Sequence, residues 1–233
     1  MSLPWHVVRL SGLYVLDLLF PRRCVSCGKV GGYFCQSCYK KIEFVGRQIC
    51  PVCAKPSIDG FAHPRCRTSF GLGGMYAACH YKGPIKDAIH LLKYRFVSDI
   101  VDSLTDVYIK YYPKNLYKLD YLVPVPLHKK REKERGFNQS LLLAKSLSKK
   151  LNLPVLDILI RTRYTKPQVD LTGKDRRSNL QNVFLSLADA KVREKSIGLV
   201  DDVATTRTTL MECAKELKKQ GAESVFGLVL AHG

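Results

Sequence analysis

Two acidic residues followed by a cluster of hydroxyl side chains are the strongest candidates for chemistry in this chain. The apolar run Ile197–Val200 precedes Asp201 and Asp202, and four threonines follow within the next seven residues. The run predicts a buried parallel strand, and residues 210–219 predict a helix after the turn. The acids are therefore expected at the carboxyl end of a strand, where open α/β sheets bind ligands.

The turn after the acids has the composition of a site for a phosphorylated sugar. Backbone N–H groups and hydroxyls can surround a phosphate at a helix N-terminus, where the helix dipole favours negative charge. The two acids would then face a ribose or its metal ion. Alternatively, the acids only begin a solvated loop or cap the helix. The candidate ligand residues are Asp201, Asp202, Val203, Ala204, Thr205, Thr206, Arg207, Thr208 and Thr209.

This segment resembles the phosphoribosyl pyrophosphate loop of type I phosphoribosyltransferases, in which paired acids contact the ribose hydroxyls and the next loop holds the 5-phosphate. Members of that family usually have Gly where this chain has Arg207. Glycine permits close backbone approach and unusual dihedral angles. Arg207 can instead donate its guanidinium to phosphate, or it can mark a weakened pocket. Ligand binding is therefore predicted, and turnover is left open.

Eight side chains of metal-ligand type lie within 43 residues near the start of the chain. They form four pairs, each with two intervening residues, which lets both members of a pair reach one ion from a tight turn. The spacing predicts two closed, structural zinc sites. Disulfides are not expected, because the N-terminus lacks the features of a signal peptide. The predicted ligands are Cys24, Cys27, Cys35, Cys38, Cys50, Cys53, His63 and Cys66.

The spacing leaves open which pairs share an ion. Sequential pairing assigns the first two pairs to one zinc ion and the last two to the other, whereas an interleaved pairing would use the same residues. His63 is taken as a ligand because its offset from Cys66 repeats that of the cysteine pairs, although it could be a bystander. Cys79 and Cys213 lack partners at such spacing and are interpreted as buried small hydrophobes.

A cationic segment follows a second predicted strand, Tyr121–Val125. We interpret it as a loop whose basic residues share the anionic ligand of the acid pair, with Arg131 and Arg135 meeting a diphosphate. Gly136 allows a turn, and Asn138 is expected to cap the next helix. The alternative is a solvated charged loop.

The composition limits the partners. The chain has 233 residues with 38 basic and 20 acidic side chains, a formal net charge of +18. Such an excess favours a polyanionic partner, although a basic, solvated surface that meets only small phosphorylated ligands is the alternative. The length suits one medium domain and a small accessory module.

Strand-like and helix-like blocks alternate from Leu72 onward, which predicts a mostly parallel α/β sheet with helices on both faces. We therefore divide the chain into residues 1–71, with an N-terminal helix and the zinc-binding module, and residues 72–233. The segment 5–20 predicts one short helix that packs on the zinc module, with shallow membrane association as the alternative. It is too short and charged for a membrane span. Strands are predicted at Met75–His80, Tyr121–Val125, Val155–Leu156, Val183–Phe184, Ile197–Val200 and Ser224–Leu230, and helices at Ile85–Tyr94, Asp99–Tyr111, Asn138–Leu151 and Thr208–Lys219.

Several motifs together resemble the ComF/ComFC family, in family order and across nearly the whole chain. They are the four zinc-ligand pairs, Lys93-Tyr94, Arg131-x-x-x-Arg135-Gly-Phe-Asn-Gln139, Gln168-x-x-Leu171 with Arg176-x-x-Asn179, and the Asp201-Asp202 loop. The resemblance implies a zinc-finger module joined to a type I phosphoribosyltransferase-like domain. It also implies cytosolic handling of single-stranded DNA during natural transformation, binding of phosphoribosyl pyrophosphate, and a helicase partner.

The resemblance also implies roles for individual residues. Asp201 and Asp202 would hold the ribose hydroxyls and a magnesium ion, and residues 204–209 would hold the 5-phosphate. Lys93 would reach the diphosphate or a DNA phosphate. Residues expected in a polar loop that covers the site, or that contacts DNA, are Gln168, Arg176 and Asn179.

The leading hypothesis is a DNA-uptake accessory protein that binds phosphoribosyl pyrophosphate and single-stranded DNA. The chain would be cytoplasmic, with weak peripheral association at the inner face of the membrane left open. One alternative is an active phosphoribosyltransferase in nucleotide salvage or modification. Another is a zinc-stabilised DNA-binding scaffold with a vestigial ligand site. No catalytic residue is assigned.

Overall fold

A four-stranded, wholly parallel sheet in the order β1-β6-β5-β2 forms the centre of the structure, and a separate antiparallel pair joins β3 to β4. The computed structural model describes residues 21–95, 97–113, 116–163, 183–187 and 190–233. The strands are β1 Gly74–His80, β2 Tyr121–Pro124, β3 Leu159–Arg161, β4 Phe184–Ser186, β5 Ser196–Ala204 and β6 Ser224–His232.

Helices cover both faces of the sheet, as the alternation in the sequence predicts. The α-helices among the described residues are α1 Gln36–Tyr39, within the zinc-binding segment, α2 Gly83–Tyr94, α3 Ile100–Ile109, α4 Lys129–Arg135, α5 Gln139–Leu151 and α6 Thr208–Lys219. Side chains alternate between the faces along each strand. Val200 therefore packs with α2, α3 and α5, whereas its neighbour Leu199 packs with α6 and the β3–β4 pair. The predicted fold class, a mostly parallel α/β sheet behind a small zinc-binding module, is confirmed.

Most predicted elements lie within a few residues of their observed bounds, and helix α6 matches exactly. Four details differ. Strand β3, Leu159–Arg161, was not predicted. Residues 129–135 form helix α4 and not a loop, Val155 makes only an isolated bridge to Leu122, and β5 continues through both acids to Ala204. The predicted helix over 5–20 and the predicted polar-loop residues Gln168, Arg176 and Asn179 lie outside the described residues.

The zinc-binding segment covers the outer edge of β1. The backbone N–H of Val45 donates to the Ala78 carbonyl at 3.0 Å, and the N–H of His80 donates to the Glu43 carbonyl at 2.8 Å. The Gln48 side chain both donates to and accepts from the backbone of Ala77, each at 3.0 Å. An edge strand needs such cover, because its unpaired backbone groups would otherwise invite another chain.

Candidate functional site

The structure groups the eight predicted metal ligands into two sequential sets of four. One set is Cys24, Cys27, Cys35 and Cys38, the other is Cys50, Cys53, His63 and Cys66, and within each set the ligand atoms lie within 4.8 Å of one another. Sulfurs about 2.3 Å from one tetrahedral ion lie about 3.8 Å apart. The observed 3.6 Å between the Sγ atoms of Cys27 and Cys35 fits this geometry, so the residues present fit structural zinc.

The two zinc sites begin with equivalent turns. The N–H of Gly28 donates to the Cys24 carbonyl at 2.9 Å, and the N–H of Ala54 donates to the Cys50 carbonyl at 3.0 Å. Both Gly28 and Ala54 have positive φ, at 75° and 61°. Although burial opposes ionisation, backbone hydrogen bonds to the sulfurs lower the pKa of Cys24 and of Cys50 to about 6. In each set this first cysteine is therefore favoured as the zinc-binding thiolate, whereas burial and the neighbouring sulfurs raise the pKa of Cys38 to about 12 and that of Cys66 to about 11.

His63 has the hydrogen bonding of a zinc ligand. Its Nδ1 lies 3.3 Å from the Sγ of Cys53, and its Nε2 lies 3.1 Å from the Pro56 carbonyl oxygen. A metal-bound histidine usually donates its other ring N–H to such an acceptor, which fixes the tautomer and the ring orientation. This geometry supports coordination through Nδ1 and the prediction that His63 is a ligand.

The two acids lie near the carboxyl end of β5, before Val203 and Ala204, and have separate partners. Asp201 Oδ1 accepts from the Ser140 hydroxyl at 2.8 Å and from the Asp202 N–H at 2.9 Å. Asp202 is only 3% exposed; its Oδ2 pairs with Lys93 Nζ at 2.6 Å and its Oδ1 accepts from the Val203 N–H at 2.9 Å. Helices α5 and α2 thus each deliver one polar side chain to the acid pair.

Burial sets the charge state of this cluster. It raises the pKa of Asp201 to about 7, with help from the charge of Asp202, and the opposing effects of Lys93 and Ser140 are smaller. For Lys93, burial favours the neutral amine, but the carboxylate of Asp202 outweighs it and the pKa of Lys93 is raised. The site therefore contains an ammonium paired with the carboxylate of Asp202 and within electrostatic range of Asp201, which titrates near neutrality.

The predicted phosphate loop is short, because only three residues separate β5 from α6. The last of them, Arg207, stands at the N-cap of α6 with φ 60° and ψ −1°. This left-handed backbone is the conformation that favours glycine, which is the residue expected there from the resemblance. Among the described residues, the buried Nε of Arg207 has no hydrogen-bond partner. Thr208 donates to the Thr206 hydroxyl at 3.2 Å.

The cationic segment is helical because each of its ends is capped. His128 Nδ1 accepts from the Lys130 N–H at 3.1 Å, and Gly136 ends α4 with φ 72°. Asn138 then caps α5, as predicted, by accepting from the Ser140 N–H at 3.0 Å. The same amide donates to the Val125 carbonyl at 3.1 Å, which ties the start of α5 to the end of β2. These contacts place Ser140 against Asp201.

Arg135, at the end of α4, contacts residues on two helices. Its Nη1 donates to Gln139 Oε1 at 3.0 Å, and its guanidinium lies 5.4 Å from the ring centroid of Tyr94. Its charge also acts on Lys93, so α4 and the end of α2 meet beside the acid pair. The structure thus brings Arg135 to the predicted site.

Residues that the sequence reasoning missed also reach this region. Arg161 lies within electrostatic range of both Arg131 and Asp201, and its position at the end of β3 was signalled only by the short apolar run before it. His232 pairs in register with Ala204, and its ring centroid lies 4.8 Å from that of His80. Burial and the charges of His80 and Arg207 lower the pKa of His232.

The fold and the site define an α/β protein with an N-terminal pair of zinc sites and an acid pair beside a cationic helix. Residues 15–68 match the family model of the double zinc ribbon domain. The chain is 31% identical over 189 residues to the DNA utilization protein YhgH of Escherichia coli (strain K12), covering 77% of this chain and 82% of that protein. The chain belongs to the ComF/ComFC family.

Two further relatives have competence names. Competence protein ComFC of Bacillus subtilis (strain 168) is 28% identical over 208 residues, which cover 84% of this chain and 82% of that protein. Competence protein F of Haemophilus influenzae is 42% identical over 114 residues, which cover 47% of this chain and half of that protein.

Solved structures with partial similarity include two proteins related to phosphoribosyl chemistry. A purine phosphoribosyltransferase from Pyrococcus horikoshii aligns with a TM-score of 0.34 and 20% identity, over 60% of this chain and 75% of that one. The glutamine phosphoribosylpyrophosphate amidotransferase of B. subtilis aligns with a TM-score of 0.37 and 14% identity, over 79% of this chain and 31% of that one. Among the described residues, no helix is long and apolar enough to cross a membrane.

Proposed function

We propose that this chain is a competence-related protein that binds phosphoribosyl pyrophosphate with Mg²⁺ at the acid pair, and single-stranded DNA on the adjacent basic surface. The observation that carries the proposal is the convergence of Asp201, Asp202 and Lys93 at the carboxyl edge of the sheet, directly before the loop at the N-terminus of α6. The names of the competence and DNA utilization relatives support the DNA part.

The acid pair has the oxygen atoms that a ribose and its metal ion need. Carboxylate oxygens are the ligands that Mg²⁺ prefers, and they also accept hydrogen bonds from ribose hydroxyls. When bound, Mg²⁺ would neutralise part of the diphosphate charge. The hydroxyl of Ser140 fixes the orientation of Asp201 before any ligand arrives. Such preorganisation lowers the cost of binding.

Lys93 would change partners when the ligand binds. Its ammonium pairs with Asp202 and offsets the cost of burying that carboxylate. With Mg²⁺ held by the acid pair, the Lys93 ammonium would be free to donate to the diphosphate. Arg135 lies close enough to Lys93 to share the diphosphate with it.

Calorimetric titration of the zinc-loaded protein with phosphoribosyl pyrophosphate and MgCl₂ tests the ligand. We expect saturable binding that Asp202→Asn abolishes while the zinc content stays unchanged. Asp106→Asn is a matched control, because Asp106 also pairs with a lysine at 2.6 Å but lies on the surface of α3. Equal heats for wild type and Asp202→Asn would refute the proposed site.

Salt dependence tests the DNA part. We expect the affinity for fluorescently labelled oligothymidine to fall steeply with salt, since phosphate contacts release counterions. Each lost phosphate contact should reduce the log–log slope by about 0.7. Lys133→Gln on α4 should therefore reduce the slope, whereas Lys118→Gln, just before the amino end of β2, should not. A flat salt dependence of the wild type would refute binding through the basic surface.

Arg207 favours a second candidate function, a zinc-stabilised DNA-binding scaffold with a vestigial ligand site. A large side chain occupies the position where close backbone approach to a phosphate favours glycine. Binding of DNA without any binding of phosphoribosyl pyrophosphate would select the scaffold. Release of diphosphate after addition of an acceptor base would instead assign a phosphoribosyltransferase.

The domain division and the location of the chain are part of the same proposal. We place the boundary at residue 72, so that residues 72–233 contain all the ligand residues and residues 1–71 contain the zinc ligands. A cytoplasmic location, where a competence helicase would be the partner, follows from the proposed role. Zinc loss in the Asp202→Asn variant would contradict the separation of the two sites.

A further inference from the structure

We propose that the exposed ring of Tyr94 is a stacking platform for one nucleobase of the bound DNA strand, next to the sugar-phosphate site. The inference rests on the proposed function and locates one contact between the protein and single-stranded DNA. Tyr94 is 57% exposed, whereas an aromatic side chain that only packs in a core is usually buried.

Contacts with other side chains of the protein hold the Tyr94 ring in place but leave much of it exposed to solvent. The ring centroid of His90, one helical turn earlier on α2, lies 4.6 Å away with the planes tilted by 41°. The guanidinium of Arg135 lies 5.4 Å from the Tyr94 centroid, and Gln139 anchors that guanidinium at 3.0 Å. A ring fixed in this way loses little conformational freedom when a base stacks on it.

The surroundings of Tyr94 match a nucleotide and not merely an apolar ligand. Its chain neighbours are Lys93, which pairs with Asp202, and the exposed Arg95. A base stacked on the ring would leave its phosphates within the range of these cations and of Arg135. Aromatic rings beside cations that track the backbone are the general means by which proteins bind single strands without reading sequence.

A second exposed tyrosine provides the comparison. Tyr111 is 56% exposed and has the ammonium of Lys110 at 5.3 Å from its centroid. Its ring, however, packs edge-on against Phe44 of the zinc-binding segment at 4.6 Å. Tyr111 thus resembles Tyr94 in its exposure and in having one aromatic neighbour, but it lies beside the zinc-binding segment and not beside the Lys93–Asp202 pair. It is the matched control for a surface tyrosine beside a cation.

The test measures the affinity of wild type, Tyr94→Ala, Tyr94→Phe and Tyr111→Ala for a labelled oligothymidine by fluorescence anisotropy. We expect Tyr94→Ala to bind about tenfold more weakly, within the range known for base stacking. The salt slope should stay unchanged, because no charge is removed. Tyr94→Phe should bind like wild type, because the aromatic face remains, and Tyr111→Ala should bind like wild type as well.

An oligonucleotide with consecutive abasic sites separates stacking from a structural role. Loss of bases should weaken binding by wild type more than binding by Tyr94→Ala, which lacks the platform. Equal affinity of Tyr94→Ala and wild type for oligothymidine, or failure of Tyr94→Phe to retain binding, would refute the stacking role of Tyr94 and leave the proposed function standing. If wild type bound no single-stranded DNA at all, the DNA part of the proposed function would fall together with it.

Discussion

Arg207 combines an unfavourable backbone conformation with a buried side-chain nitrogen that is unpaired in the described part of the chain. Its φ of 60° lies in the left-handed region, which is unfavourable for a residue with a β-carbon. Its buried Nε has no hydrogen-bond partner among the described residues. Both features oppose folding, because a β-carbon is disfavoured in left-handed backbone and a buried donor without a partner is costly.

Comparison of two substitutions isolates the backbone effect at this position. Arg207→Gly and Arg207→Ala both remove the guanidinium, but only glycine removes the β-carbon. We expect the glycine variant to exceed the alanine variant in free energy of unfolding by about 1 kcal/mol, the usual cost of left-handed backbone for a non-glycine residue. Urea denaturation measures the difference. An alanine variant at least as stable as the glycine variant would show that Arg207 is not strained.

Asp201 makes stability depend on pH. Burial raises the pKa of Asp201 to about 7 from its ordinary value of 3.8. The folded protein therefore binds this proton more tightly than the unfolded chain, and the stability associated with it is lost as the pH rises from about 4 through 7. Asp201→Asn should remove this dependence. Its free energy of unfolding, relative to wild type, should therefore be higher at pH 8 than at pH 6.

The pH comparison needs a control for general charge effects. Asp106→Asn removes an exposed aspartate from α3 and should leave the pH dependence as in wild type. Zinc content is measured at both pH values, so that metal loss is not mistaken for titration. A pH dependence in Asp201→Asn equal to that of wild type would contradict the raised pKa.

At the scale of elements, the helices of one face bury a cluster of tyrosines whose hydroxyls differ in their partners. Among the described residues, the buried Tyr108 hydroxyl on α3 has no hydrogen-bond partner. The Tyr117 hydroxyl, in contrast, donates to the Asp59 carbonyl at 2.9 Å and joins the zinc-binding segment to the start of β2. Burial without a partner is costly, whereas a satisfied hydroxyl contributes to stability.

The matched pair Tyr108→Phe and Tyr117→Phe tests this difference. We expect Tyr108→Phe to raise the free energy of unfolding by about 1 kcal/mol, because an unsatisfied polar group leaves the core. Tyr117→Phe should lower it by about 1 kcal/mol, because it leaves the Asp59 carbonyl without its donor. Thermal and urea denaturation report both changes. Destabilisation by both substitutions would mean that the Tyr108 hydroxyl has a partner.

At the scale of the whole molecule, the zinc sites and the sheet form one interlocked structure. The zinc-binding segment adds backbone hydrogen bonds to the edge of β1, and β1 lies next to β6 in the sheet. Loss of zinc would free the segment and expose that edge. Metal binding is therefore expected to stabilise the sheet domain as well as the segment that holds the ions.

Chelation tests this coupling. We expect two zinc ions per wild-type chain by elemental analysis, and about one in His63→Ala, in which the second site loses a ligand. Removal of zinc should lower the melting temperature of the entire chain in one transition, and the amide hydrogens of β1 should lose part of their protection from exchange. A sheet domain that melts at the same temperature with and without zinc would contradict the coupling.

The elements that could be predicted are those with a clear pattern of apolar residues along the chain. Apolar periodicity identified the four parallel strands and α6, because burial against a sheet imposes that pattern. Helix α4 was missed because all seven of its residues are charged and it has no apolar face, so its two caps decide its conformation. Strand β3 was missed because three residues give no measurable alternation.

The sequence by itself determined the eight zinc ligands, the alternation of strands and helices, and the acid pair at a strand end, because each depends on residues that are close along the chain. Only the tertiary structure decided that Lys93 pairs with Asp202, that Arg135 meets Tyr94, and that Arg161 comes within range of Asp201. These contacts join elements far apart in sequence. The order of the strands and the packing of the helices determine these contacts, and no local sequence pattern indicates either.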